Sequence, residues 1–96
     1  MSDWRIPRES VELVGPITVT DDGTPVTDFD VAVLGQGFRP EDTDWATPDL
    51  VGSDQFVLVG PGTDRPLVPG VYRLWVRYTA NPETPVLDAV ASIRIT

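Results

Sequence analysis

The chain has 96 residues, 41% of them hydrophobic, and a net charge of −8, enough for one small domain with a modest core and not for two. It contains no histidine and no cysteine, and its seven basic residues are all arginine. These absences exclude an imidazole base, a thiol nucleophile, a Schiff-base lysine and a Cys/His zinc site. The acidic balance argues against nucleic acid, which needs a basic patch, and no apolar run reaches the ~20 residues of a membrane span.

The opening segment, MSDWRIPRES, carries charge and proline where a leader needs an apolar stretch, so no signal peptide is expected. Residues 1–9 read as an N-terminal arm bearing Trp4, Arg5, Ile6 and Arg8. Terminal segments stay loose unless docked. Two docking places suit this one, another subunit or the edge of its own domain.

Residues 10–96 read as a single β domain. Ten prolines and eight glycines are spread through it, and no stretch has helical apolar spacing free of these breakers. In Ser10–Thr20, Val11, Leu13, Ile17 and Val19 alternate onto one face, with Gly15-Pro16 marking a bulge or kink of the kind edge strands tolerate. The Asp21–Thr24 stretch, DDGT, is a hairpin turn in which glycine takes positive φ. Thr27–Phe38 follows as a strand, with Phe29, Val31 and Val33 facing one way. Arg39–Asp54 is polar and acidic and contains Trp45. A structureless loop of that length is uncommon, so it either hides a short edge strand near Trp45 or is a working loop. Strands are then expected at Gln55–Val59, from Val71 to Thr79, and at the C-terminus, where Ala89, Ala91, Ile93 and Ile95 form the inner face. A turn at Gly60–Gly62 and another at the NPETP of residues 81–85 separate them.

About seven short strands at this spacing make the pattern of an all-β, immunoglobulin-like antiparallel β-sandwich. Pro69-Gly70-Val71-Tyr72 sharpens it. A tyrosine opening a penultimate strand after a Pro-Gly turn is placed as a tyrosine corner, its hydroxyl bonded to nearby backbone.

The residues that carry chemistry are few. One acidic group is Asp21, Asp22, Asp28 and Asp30, and another is Glu41, Asp42, Asp44 and Asp49. Neither has the spacing and glycine of a calcium loop, so no metal and no cofactor is expected. A glycosidase pair needs a fixed separation across a cleft for which so small a domain has little room. The serines have no histidine to activate them. The chain is therefore expected not to be an enzyme.

The strand from Val71 poses the sharpest question. Tyr72, Leu74, Val76 and Tyr78 form a core face, which sends Arg73, Trp75 and Arg77 to the side expected to meet water. Trp75 in that place is either cross-strand packing flanked by guanidinium groups or an interface anchor, since Trp and Arg are enriched at binding hot spots.

The run GPG at residues 60–62, then LVPGVYRLWVRYTANPETPV at 67–86 and IRIT at the C-terminus, resembles small immunoglobulin-like virion proteins of tailed bacteriophages. It is most similar to those encoded near the capsid and head-to-tail connector genes of phages infecting actinobacteria. ITVTDDGTPV at 17–26 suits the opening strand and hairpin of such proteins. The resemblance runs from about Ile6 to Thr96, and the loop carrying Trp45 departs from it. It implies a structural part in the virion, as capsid decoration or at the neck or tail, with other virion proteins as partners and several copies per particle. On that reading Trp4, Arg5, Arg73, Trp75 and Arg77 lie at the contacts. It brings no catalytic residue. The alternative is an immunoglobulin-like module that holds a carbohydrate or host-surface ligand, which would need convergent polar groups and a second aromatic in a concave surface.

Overall fold

A computed structural model describes residues 2–80 and 83–96. The chain is all-β. Its longest alternating stretch becomes strand β8, Gly70–Arg77, and the C-terminal stretch becomes β9, Val86–Ile95. The two pair antiparallel. On the inner side Leu74 and Val76 of β8 and Ala91, Ile93 and Ile95 of β9 are at most 5% exposed. The side chain of Ala89, expected on the same face, lies outside the described residues. Ala80 and Glu83 close the connection between the two strands with reciprocal backbone hydrogen bonds of 2.8 and 2.9 Å, while Asn81 and Pro82 of the expected turn lie outside the described residues.

β8 and β9 are the middle of a four-stranded sheet. Its order is β1-β9-β8-β5, where β1 is Ser2–Ile6 and β5 is Asp30–Gly35. The segment read above as an arm is thus an edge strand, running parallel to β9 with Trp4 opposite Ile93 and Ile6 opposite Ile95. The apolar members explain the docking. Ile6 is buried and Trp4 packs against the core.

A three-stranded antiparallel sheet, β2-β7-β6, is built from Glu12–Val14, Asp54–Val59 and Asp49–Val51. β3, Val19–Asp21, and β4, Thr24–Val26, form a separate hairpin. Its turn residues Asp22 and Gly23 both have positive φ, 51° and 79°, as in a type I′ turn; the DDGT stretch predicts the turn and the positive φ of the glycine. One buried cluster draws on all three sheets, with Val14, Val57 and Val59 meeting Val31, Leu74, Val76 and Ile93. Each such side chain contributes about 1.5–3 kcal/mol by leaving water.

Among the described residues nine strands stand in place of about seven, for local reasons. Gly15-Pro16 divides the first expected strand into β2 and β3 and reverses its phase. Val14 is buried opposite Val57, while Val11 and Leu13, expected on the inner face, are 52% and 39% exposed. Residues outside the ladder between two paired segments shift the alternation, and a shift by one moves every side chain to the other face. The long polar segment also contains structure. A 3-10 turn at Asp42–Asp44 leads to Ala46, which exchanges hydrogen bonds of 2.8 and 2.9 Å with Val31, and then to β6. This is the hidden edge strand expected near Trp45.

The hydroxyl of Tyr72 donates to the carbonyl oxygen of Val68 at 2.7 Å, as a tyrosine corner requires.

Candidate functional site

The outer face of the four-stranded sheet gathers four of the five residues singled out in the sequence. Strand register explains how. With Ile93 and Ile95 turned inward, Ser92 and Arg94 of β9 point outward. Arg5 and Val71 lie across from Arg94, and Asp3 and Arg73 lie across from Ser92. Trp75 and Arg77 continue the row along β8, facing Ala32 and Asp30 of β5. Trp4 is the exception. It belongs to the opposite face of β1 and borders a gap of about 370 Å³ with Val14, Ile17 and Leu74, so it packs within the domain.

Trp75 does not meet water. It is 3% exposed, on the side of the strand expected to meet water, which suits the first of the two readings above, a packing residue, rather than an open interface anchor. The segment after β5 reaches back over this ring. The guanidinium of Arg39 lies 5.5 Å from the centroid of the Trp75 ring, close enough for a cation–π contact. Across the sheet the register partner is small, Ala32, itself 1% exposed. Opposite Trp75 the β8–β9 ladder is irregular. Leu74 faces Ala91 and Val76 faces Leu87, so three residues of β9 span the space of one on β8. The indole Nε1 is buried and has no hydrogen-bond partner among the described residues.

A second stack forms beside the first. The guanidinium of Arg77 lies 4.7 Å from the centroid of the Trp45 ring, and its Nε donates to the Oδ2 of Asp30 at 3.3 Å. Arg77 is therefore held by a carboxylate within the sheet and by an aromatic from the loop. Arg39, Trp45 and Asp30 were not among the residues expected at a site. Alternation within a strand says nothing of a loop that returns over it, and the one available signal was a tryptophan in an otherwise polar stretch.

Arg5 and Arg94 are both exposed and directly opposite in register. Like charges in that position repel. With Arg39, Arg73 and Arg77 they place five of the seven arginines of an acidic chain on one face. Among the described residues no three His, Cys, Asp or Glu side chains gather in a way that could hold a metal ion, and no helix is long and apolar enough to cross a membrane.

Tyr78 follows directly after β8 and lies beside Asp21 and Asp22 of the β3–β4 hairpin. Its hydroxyl pKa is raised above the ordinary value near 10, first by burial and then by the negative charges of Asp21, Asp22 and Glu83. The phenol is a neutral group at physiological pH.

The chain matches no protein-family model, no curated protein and no solved structure.

Proposed function

We propose that the chain is a non-enzymatic structural component of a tailed-phage particle. On this reading it is an immunoglobulin-like β-sandwich that attaches to other virion subunits on the capsid surface or at the neck. The observation that carries the binding part is the arginine face. In a chain of net charge −8 five of the seven arginines share one side of a sheet, where Asp3 and Asp30 are the carboxylates in the same rows, and the pair Arg5 and Arg94 stand opposed. That arrangement gains most where an acidic partner surface covers it, because complementary charge steers encounter and fixes register. Arginine is also enriched among residues that dominate interfaces. The virion assignment is supported by the resemblance in the β8–β9 segment and by the tyrosine corner. Many copies would turn a weak single contact into stable attachment. Trp75 takes the packing role in this reading and supports Arg39 from beneath.

The test is co-sedimentation of the purified chain with particles lacking it, for wild type and for Arg5→Glu combined with Arg94→Glu. Both side chains are exposed, so the variant should fold. Stoichiometric rebinding that weakens with salt and is lost in the double variant is expected. Undiminished rebinding by the variant would refute the role of this face, and no rebinding by wild type would refute the add-on role. A second reading, a carbohydrate-binding module, draws on the polar groups around Trp45, where the concavity holds one aromatic and not the two set out above.

A further inference from the structure

The returning loop makes a groove on its other side. Where residues 43–47 meet the β7–β8 connection, a concavity of about 430 Å³ is lined by Trp45, Thr43, Thr47, Asp64, Arg65 and Leu67 among others. Its size falls in the range of small-molecule sites. Its composition is mixed, an aromatic and aliphatic floor with hydroxyl, carboxylate and guanidinium groups around it. We infer that this groove binds a neutral pyranose sugar, with Trp45 as the stacking platform.

Two observations carry the inference. The platform is fixed in advance. Arg77 packs on the Trp45 ring and is itself held by Asp30, and the neighbouring Ala46 is tied to Val31 by two backbone hydrogen bonds. A group already held in place loses little freedom when a ligand stacks on it. The polar groups are available. Thr43, Thr47 and Asp64 are exposed and have no hydrogen-bond partner among the described residues. Arg65 is oriented by Asp49 at 3.9 Å. Hydroxyls that both donate and accept, a carboxylate that accepts and a guanidinium that donates match the alternating donors and acceptors around a sugar ring.

Charge then selects the class of sugar. Asp44, Asp49 and Asp64 outnumber Arg65 in the lining, so the groove is net negative and disfavours uronic acids and phosphorylated sugars. A cationic peptide side chain is the other candidate occupant. It meets a ring that already holds one guanidinium at 4.7 Å, and Arg77 and Arg65 offset two of the three carboxylates that would attract it. An uncharged C–H face does not depend on that balance.

The experiment is an NMR titration of the full chain with methyl β-glucopyranoside, methyl β-galactopyranoside and methyl N-acetyl-β-glucosaminide. Glucuronate and N-acetylarginine amide serve as charged comparisons. The Trp45 indole N–H and the amides of residues 43–47 and 64–65 are followed. At least one neutral sugar is expected to give saturable shifts there, with a dissociation constant on the order of 1 mM. Trp45→Ala should weaken binding at least tenfold. Asp64→Asn, which disturbs no contact of the fold, should weaken it several-fold and keeps the test valid if the first variant unfolds. No saturable shift with any neutral sugar up to about 50 mM would overturn the inference. So would tighter binding of either charged probe, or unchanged binding in Asp64→Asn and in a folded Trp45→Ala. These variants leave Arg5 and Arg94 intact, so failure here and failure of the particle-binding reading are told apart.

Discussion

Replacing Trp75 with phenylalanine tests whether its indole N–H is truly without a partner. The ring is 3% exposed and its Nε1 is buried and unpaired among the described residues. An unsatisfied buried donor costs about 1–3 kcal/mol, and phenylalanine removes it. Against this, a smaller ring gives up roughly 40 Å² of buried surface, or about 1 kcal/mol at ~25 cal/mol per Å². The two effects nearly cancel. Trp75→Phe is expected to lie within about 1 kcal/mol of wild type, on either side. Trp75→Ala removes the same donor but gives up the whole ring and leaves a cavity, and should cost about 3–5 kcal/mol. Both are read from urea unfolding curves followed by far-UV circular dichroism, with the slope checked for a common unfolded state. A loss above about 2 kcal/mol in Trp75→Phe would refute the reasoning, because it would mean that the N–H has a partner worth keeping.

Three other outcomes follow from local geometry. Tyr72→Phe deletes the 2.7 Å bond to Val68 and should cost about 0.5–1.5 kcal/mol, seen as a fall in Tm of about 2–12 °C; an unchanged Tm would show that the corner holds nothing. Gly60→Ala should be far worse than Gly62→Ala. At Gly60, φ is +127° and an added Cβ would run into the Ser10 carbonyl oxygen and come within 2.8 Å of the Val11 Cα, whereas at Gly62 it meets open space; losses of about 2–5 and about 1 kcal/mol are expected in thermal melts, and equal losses would contradict the close approach. Tyr78 supplies a pH dependence. Its pKa is raised in the folded chain, so between the unfolded and folded values the native state holds the proton more tightly. That contribution is complete below about pH 10 and is lost as pH rises through the folded pKa. Unfolding curves across this alkaline range should show falling stability that Tyr78→Phe flattens, and an identical slope in the variant would argue against it.

What the sequence made legible is what depends on neighbours along the chain. The inner faces of β8 and β9 follow from strict alternation through Leu74, Val76, Ile93 and Ile95. The β3–β4 turn follows from Asp22-Gly23, and the corner from Tyr72 after Pro69-Gly70. Where the reading failed, a second segment decided the outcome. Alternation correctly turned Trp75 away from the core, but a strand has two sides and periodicity does not say what lies over the second. Arg39 covers it. At Gly15-Pro16 the alternation changes phase, and an apolar residue at Val14 as well as at Leu13 left the sequence able to fit either register. Trp45 and the groove beside it were illegible because they depend on the meeting of two irregular segments, which have no period to read.

The parallel pairing of β1 with β9 has a consequence for how the domain comes into being. β9 is the last strand in chain order, yet it occupies the middle of its sheet, between β1 and β8. On a ribosome β1 emerges first and has no strand to lie against until some ninety residues later. A sheet whose first and last pieces must meet is dominated by distant pairings, which are slow to form because the chain between them must be ordered first. During synthesis the Trp4 and Ile6 side chains therefore have no β9 to lie against until residues 86–95 have been made, and the sheet closes in a late step when β9 arrives. A chain shortened by its final strand would lose the centre of the sheet and leave two edges with nothing between them.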